Sequence, residues 1–374
     1  MSKLNEQINS SLEKRKNENL LRQLFIDEKG ADFITNDYLG FSKLIRVEAD
    51  PGTSHSPSAS RLLGGNNSQI EELENHIAQF HGFESALFFN SGYNSNTGLF
   101  SCLLSRHDTF IFDELCHASV RDGIRQSLAT NFSFKHNDCE DLEEKLKHAA
   151  ETSNGNIVVA VESVYSMDGD MSPLLKMVEL CKKYNAELIV DEAHSIGVFG
   201  KEGRGLVNDL GIEKDVFAVV YTYGKAMGCH GGVVVCNKNL RNYLVNYSRP
   251  FIYTTAPSAN QVVAVKTAYS LLTSPIHEKN RLALRKNILF FVETISAQSN
   301  NHSAIHSHIN KFMIGDNEKA IQISQALRNK GFICRPVLSP TVPKGTERIR
   351  INLHSYNTME EISGLINTFK SLVK

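Results

Sequence analysis

Apolar residues in this chain fall into short unbroken runs, separated by longer stretches in which they recur at helical spacing. The runs Ala86-Leu-Phe-Phe89, Phe110-Ile-Phe112, Ile157-Val-Val-Ala-Val161, Leu188-Ile-Val190, Val216-Phe-Ala-Val-Val-Tyr221 and Gly231-Gly-Val-Val-Val-Cys236 predict strands buried on both faces. Between them, Glu71–Phe80 and Leu174–Tyr184 have the period of helices. Strands alternating with helices predict an α/β fold. Its mostly parallel sheet gathers at one edge the polar residues that follow successive strands.

The ends of the chain carry weaker signals. Leu4, Ile8, Leu12, Leu20, Leu21 and Leu24 predict an amphipathic helix from Leu4 to Phe25 that rests on another surface. Asp32–Gly40 predicts a short strand closed by a turn. Ser54–Asn67, rich in Ser, Gly, Asn and Pro around Arg61, is either a flexible connection or an ordered loop lining a cleft. From Asn260 a long helix leads into a second lobe, marked by Leu282–Leu289, Ala320–Leu327 and the strands Phe332–Pro336 and Glu347–Leu353; Gln298–His308 reads as a surface loop. The expected division is an N-terminal helix and short strand over 1–42, a large domain over 43–256 and a smaller C-terminal α/β domain over 257–374.

Composition narrows the function. At 374 residues, 41% hydrophobic and 22% charged, the chain has the make-up of a soluble globular protein. A formal net charge of −1 gives no field for nucleic acid, so the partner is expected to be a small molecule. The seven cysteines are scattered, without a C-x-x-C pair, which fits a reduced cytoplasm and argues against a disulfide framework or zinc site. The polar N-terminus lacks a signal peptide's apolar core, and no apolar run approaches the length of a membrane span.

Chemistry concentrates where strands end. Leu188-Ile-Val-Asp191-Glu-Ala-His194 delivers a carboxylate and an imidazole, and Tyr221-Thr222-Tyr-Gly-Lys225 delivers a hydroxyl and a lysine beside glycine, where room is left for a bulky group. Pyridoxal phosphate asks for such a set: a lysine for its imine, a carboxylate for its pyridinium nitrogen, and donors for its phenolic oxygen and phosphate. Asp191, His194, Thr222 and Lys225 can supply them. Asp-Glu-Ala-His also ends a strand in helicase-type ATPases, but no G-x-x-x-x-G-K-[ST] phosphate loop occurs in the chain. The stretch Asn90-Ser91-Gly92-Tyr93 between a strand and a helix is a ready anion site. His117, after another strand, shares that edge and is either structural or a ligand contact. Alternation points Arg348, Arg350 and Asn352 to one face, which suits a carboxylate or a solvated edge strand. Arg22, on spacing alone, reads as a solvated charge.

Taken in order, Asn36-Asp-Tyr-Leu-Gly40, Ala59-Ser-Arg-Leu-Leu-Gly-Gly65, Ser91-Gly-Tyr93, His117-Ala-Ser119, His136-Asn-Asp138, Ser166-Met-Asp-Gly-Asp170, Asp191-Glu-Ala-His194, Thr222-Tyr-Gly-Lys225 and Pro340-Thr-Val-Pro343 span nearly the whole chain. Together they resemble the α-oxoamine synthases among fold-type-I pyridoxal phosphate enzymes. Within that family, Ile8-Asn-Ser-Ser-Leu-Glu-Lys-Arg, reaching Arg22, and Arg249-Pro-Phe-Ile-Tyr-Thr-Thr255 are similar to the members that join L-alanine to a pimeloyl thioester. Siblings pair serine with palmitoyl-CoA or glycine with acetyl-CoA.

The resemblance implies that Lys225 bonds the cofactor, Asp191 pairs with the pyridinium, His117 stacks on the ring and His194 bonds the phenolic oxygen. It implies that Gly92, Tyr93, Ser166 and Thr222 hold cofactor and phosphate, and that Thr254 or Thr255 reaches the phosphate of a second subunit in a homodimer. Arg350 is expected to take the amino acid carboxylate, Thr341 to lie near the substrate and Arg22 to serve the acyl chain. No metal is expected. The chain departs from the family pattern at Ile70 and at Tyr356-Asn357, where histidines are frequent, and its segment between Arg22 and Asn36 is shorter than usual.

Overall fold

The computed structural model describes residues 2–373 apart from 23, 25, 27–28, 48–55, 153 and 297–305. In chain order the first elements are α1 (Lys3–Asn17) and β1 (Ala31–Asp32), followed by α2 (Ser68–His81), β2 (Ser85–Phe89), α3 (Gly92–Leu103), β3 (Thr109–Asp113), α4 (Ala118–Gln126) and β4 (Thr130–Phe134). Next come α5 (Cys139–Thr152), β5 (Ile157–Glu162), α6 (Leu174–Lys183), β6 (Glu187–Asp191), α7 (Leu206–Asp209), β7 (Ala218–Thr222) and β8 (Gly232–Cys236). The remainder is α8 (Lys238–Tyr247), α9 (Arg249–Ile252), α10 (Ala259–Leu272), α11 (Pro275–Ser296), β9 (Ile309–Met313), α12 (Asn317–Asn329), β10 (Phe332–Ile333), β11 (Arg335–Val337), β12 (Arg348–Asn352) and α13 (Met359–Leu372).

Two compact units result, one of residues 36–282 and one of 1–35 with 283–374. This differs from the expected breaks at 42/43 and 256/257, and hydrogen bonds give the reason. Residues 257–282 stay with the larger unit because Tyr269 of α10 meets His81 Nε2 at 3.0 Å, Gln261 Nε2 donates to Asn90 O, and Asn280 Nδ2 donates to Leu39 O at 2.8 Å. Residues 1–35 belong with the C-terminal segment because β1 pairs in parallel with β10 and Asn352 Nδ2 donates to Ile34 O and Thr35 O.

The larger unit is built on a seven-stranded sheet in the order β2-β8-β7-β6-β5-β3-β4. All strands run one way except β8, which is antiparallel to both β2 and β7. Its reversal follows from the short connection after β7, since a tight turn can join only antiparallel neighbours, whereas the parallel pairs are linked through helices. The apolar runs are buried as their unbroken pattern requires: every residue of β5, β7 and β8 lies inside. Leu87, Phe89, Leu99, Phe100, Phe110, Val158, Ile189, Val220 and Val234 form the core under α3 and α4.

The loop around Arg61 is ordered by charge. Arg61 is buried, pairs with Glu71 at 3.1 Å and with buried Glu74, and Glu74 also accepts the Phe88 N–H at 2.8 Å. Residues 54 and 55 of that stretch lie outside the described residues, as do 23 and 25 of the N-terminal helical pattern. The helix itself ends at Asn17, ahead of Asn19, which turns left-handed at φ 56°, and none of its residues is buried against the described residues. Of the supposed surface loop Gln298–His308, residues 298–305 lie outside the described residues, and Ser307 and His308 are fully buried.

The second unit holds the three-stranded antiparallel sheet β11-β12-β9. The expected strand Phe332–Pro336 is split there, β10 pairing with β1 and β11 with β12. Asn357, where a histidine is frequent in the family, ties this unit internally: its Oδ1 accepts the His354 N–H at 2.8 Å and its Nδ2 donates to Asp32 O at 3.0 Å. Ile70, the other departure, is a fully buried residue of α2 in the larger unit.

Candidate active site

Because β2, β3, β5, β6 and β7 point the same way, their C-terminal ends deliver residues distant in sequence to one edge of the sheet. There a cavity of about 250 Å³ is lined by Asn36, Gly92, Tyr93, Asn96, His117, Glu162, Asp191, His194, Thr222 and Lys225, among others. The expected residues Gly92, Tyr93, His117, Asp191, His194, Thr222 and Lys225 thus meet. Ser166 does not line the cavity and sits half-buried in the turn after β5.

Lys225 is carried by the connection between β7 and β8. Backbone bonds from Tyr223 N to Gly231 O, Cys229 N to Tyr223 O and Gly228 N to Lys225 O shape it. Gly228 is required there: its φ is +63°, and a Cβ would lie 2.2 Å from Ser42 N. The backbone that carries the lysine is therefore fixed, and a Cβ on Gly224 beside it would meet Cys229 O at an ordinary 3.8 Å.

Asp191 ends β6 and is 5% exposed. Its Oδ2 accepts from Asn96 Nδ2 at 2.7 Å and its Oδ1 from the Ala193 N–H at 2.9 Å, so the carboxylate is fixed in direction. Glu192 faces away and is structural: fully buried, it accepts the Leu206 and Val207 N–H groups and the Ser195 hydroxyl, and burial pushes its carboxyl up to about 7. The Asp-Glu-Ala-His tetrapeptide thus splits into one acid for the cavity and one for the scaffold.

His117 caps α4. Its Nδ1 accepts the Ser119 N–H at 3.2 Å and meets the Ser119 hydroxyl at 2.7 Å. Burial, then the nearby Lys225 charge, holds the imidazole below its ordinary range against the pull of Asp191. The ring is neutral near pH 7, with Nε2 carrying the proton. His194, 4% exposed, meets Tyr38 Oη at 2.7 Å through Nδ1.

Residues that the sequence reading passed over complete the cavity. Asn96 orients Asp191, and its place one helical turn after Gly92 was the available signal. Glu162 ends β5 in register with Asp191 and accepts the His117 N–H at 2.6 Å; burial, then Asp191, raises its carboxyl to about 8. Tyr38, in the Asn36–Gly40 turn, lies behind the cavity wall against His194.

The set fits pyridoxal phosphate. Thr222 Oγ1 is buried and, among the described residues, has no hydrogen-bond partner. A Cβ on Gly92 would come within 2.2 Å of Thr222 Cγ2, so the start of α3 can approach Thr222 only as glycine. The N–H groups of that helix start and the orphan hydroxyl make an anion cradle on the cavity that the fixed carboxylate also lines. Among the described residues no group of His, Cys, Asp and Glu is arranged to hold a metal ion. No described helix is long and apolar enough to cross a membrane.

His136 secures the loop that carries Ser166. Its Nδ1 lies 3.0 Å from Asp113 and its Nε2 2.5 Å from Asp170. Burial alone would depress the imidazole, but the two carboxylates push it up to about 10. A raised folded value means the contribution is complete below the unfolded pKa of about 6.5 and drains away as pH rises toward 10. Replacing His136 by Ala leaves Asp113, 0% exposed, without its cation. The expected loss is about 2–3 kcal/mol at pH 7, shrinking between pH 7 and 10, as read by urea unfolding at several pH values.

Thr254 and Thr255 lie beside the cavity rather than on it: Asn90 Nδ2 donates to Thr254 Oγ1 at 3.3 Å and to Thr255 O at 2.8 Å. Arg22, Thr341 and Arg350 belong to the other unit. There Arg22 and Thr341 are exposed. Arg350 is half-buried on β12, opposite Arg335 on β11 and Lys311 on β9, a cross-strand row of cations suited to an anion. Asn352 shares its face, as alternation requires, but is buried against Ile34 and Thr35.

Comparison with known proteins places this site in a family. Residues 28–367 match the family "Aminotransferase class I and II". The chain is 35% identical to the 8-amino-7-oxononanoate synthase of Emericella nidulans over 98% of its length and 95% of that protein. It is 37% identical to the enzyme of the same name from Chlorobaculum parvum, over 90% and 88% of the two chains. Among solved structures, the serine palmitoyltransferase of Sphingomonas wittichii superposes with a TM-score of 0.82 at 29% identity, covering 91% of this chain and 86% of that one. These near full-length similarities, in agreement with a cavity that holds a lysine, a fixed carboxylate and an orphan hydroxyl, show that the chain belongs to the class I and II aminotransferase family, as a fold-type-I, pyridoxal phosphate-dependent acyltransferase of the α-oxoamine synthase kind.

Proposed function

We propose that this enzyme joins L-alanine to a pimeloyl thioester, releasing carbon dioxide and free thiol and giving 8-amino-7-oxononanoate for biotin biosynthesis in the cytoplasm. The near full-length similarity to two 8-amino-7-oxononanoate synthases carries this reading. When bound, pyridoxal phosphate supplies an electron sink that acidifies the amino acid Cα–H.

The chain's own residues do the rest. Lys225 anchors the cofactor and, once its amine is free, takes the Cα proton and later returns one to the product carbon. Asp191, held by Asn96, keeps a proton on the pyridine nitrogen. His117 covers the ring as a neutral imidazole, and His194 bonds the phenolic oxygen. Gly92, Tyr93 and Thr222 hold the cofactor and its phosphate. Arg350 takes the amino acid carboxylate, with Thr341 near the substrate and Arg22 serving the acyl chain.

A homodimer is part of the reading, with Thr254 or Thr255 reaching the partner's phosphate. The stripe Leu4, Ile8 and Leu12 on α1, 64%, 47% and 47% exposed, supports a second copy as its cover. The acyl carrier is coenzyme A or a carrier protein.

The second reading, a sibling such as serine palmitoyltransferase or glycine C-acetyltransferase, is favoured by the superposition on serine palmitoyltransferase. The two separate in one assay, in which holoenzyme is given L-alanine, L-serine or glycine with pimeloyl-, palmitoyl- or acetyl-CoA, and thiol release is followed. The expected result is a kcat/KM for the alanine and pimeloyl-CoA pair at least tenfold above every other pair. Faster release with serine and palmitoyl-CoA, or with glycine and acetyl-CoA, moves the function to that sibling.

A further inference from the structure

Tyr38 is fully buried, yet it is a tyrosine where phenylalanine would fill nearly the same volume without a hydroxyl to desolvate. That hydroxyl is placed by the turn it sits in. Tyr38 N–H donates to Asn36 O, Gly40 N–H to Asp37 O, Ser42 Oγ to Asp37 Oδ2, and Asn280 Nδ2 to Leu39 O, so the ring direction is set by bonds outside the cavity. The hydroxyl donates to Asn36 Oδ1 at 3.0 Å and lies 2.7 Å from His194 Nδ1. A phenol has one hydrogen to give. With it directed to Asn36, the shorter bond must use a hydrogen on His194 Nδ1.

We infer that Tyr38 is a positioning residue: by accepting from His194 Nδ1 it fixes the imidazole tautomer, so that Nε2 is the atom that exchanges a hydrogen bond with the cofactor's phenolic oxygen. The inference rests on the reading of His194 as the partner of that oxygen. Its physical content is a relay that starts at Asn36 on the cavity wall, runs behind it through the Tyr38 hydroxyl, and returns to the wall at His194. An imidazole whose Nδ1–H is accepted by an oxygen is better able to carry a second proton on Nε2, as it must to stabilise a phenolate. Without the Tyr38 oxygen, the ring loses that support and the tautomer is no longer imposed. The phenolic oxygen then becomes more basic, and the cofactor's neighbouring iminium proton is held more tightly.

The test uses holoenzyme and the pH titration of the bound cofactor's visible absorption, a readout independent of turnover. Tyr38→Phe is expected to retain pyridoxal phosphate and to move the titration midpoint upward by about one pH unit, roughly a tenfold change in proton affinity. In a His194→Gln background the same substitution is expected to add no further shift, because Tyr38 acts through His194. A Tyr38→Phe midpoint equal to that of the parent enzyme overturns the inference, as does an equal shift with and without His194. Should Tyr38→Phe fail to fold, ¹⁵N spectra of the parent holoenzyme decide the matter: a protonated His194 Nδ1 is expected, and an unprotonated one overturns it. Failure of the underlying reading looks different, since His194→Gln alone would then leave the midpoint where it was.

Discussion

Lys225→Ala is expected to lower turnover by at least ~10⁴-fold and to abolish the visible absorption of bound cofactor, without loss of the folded state. The size of the effect follows from the double duty of one amine. In the proposed reading it anchors the cofactor and, once free, is the base at the substrate carbon, so its removal would delete both a covalent tether and a proton carrier. Glu162 and Asp191 are carboxylates fixed by His117 N–H and by Asn96 with Ala193 N–H, and His117 has its Nδ1 occupied by Ser119. The fold should survive because the connection is shaped by backbone bonds among residues 223–231 and by buried Ala226 and Met227, none of which uses the lysine side chain. Thiol release, absorption and thermal melting measured on one preparation check this together. Residual turnover above about one part in a hundred, with melting unchanged, would remove Lys225 from the chemistry.

Much of the cavity lining was legible in the sequence because polar groups at strand ends leave a one-dimensional trace: an apolar run stops and a polar residue follows. Asp191, His194, Thr222, Lys225 and His117 all have that signature, and the parallel sheet converts it into proximity. What stayed hidden depends on cross-chain pairing. Glu162 also ends an apolar run, but only the register of β5 with β6 puts it beside Asp191. Asn96 and Tyr38 act on those residues from positions 95 and 156 residues away in the chain, a separation no periodicity reports.

The division into units was misjudged for a related reason. The turn at 257 marks the end of the strand pattern, whereas the packing of α10 on α2 through His81 and Tyr269 decides where the compact unit ends. Likewise, the stripe on α1 gave a helix that ends at Asn17 rather than Phe25, and not what lies against it, since periodicity shows that a face is apolar and not which surface covers it.

Asp191→Asn is expected to cut turnover by about 10²–10⁴-fold while leaving cofactor anchored through Lys225. The amide nearly matches the carboxylate in shape and can still accept the Ala193 N–H, but its nitrogen then faces Asn96 Nδ2, so the negative charge and one acceptor are removed together. In the proposed role of Asp191, its loss leaves the pyridine nitrogen without the charge that would keep it protonated in a buried cavity, and the acidity of the substrate carbon would fall with it. The charge also acts on its neighbours. It raises the Glu162 carboxyl on top of burial and pulls the His117 imidazole upward against burial and Lys225, so its loss should lower the proton affinity of both groups. Glu162, at about 8 in the parent enzyme, then ionises at lower pH, and an infrared titration of its carboxyl band in Asp191→Asn should show the midpoint moved down. A merely structural Asp191 predicts otherwise: loss of melting temperature, with turnover falling only as far as the folded fraction does. Turnover within tenfold of the parent enzyme, with Glu162 titrating lower as expected, would show that the charge is present but that the pyridine proton does not depend on it.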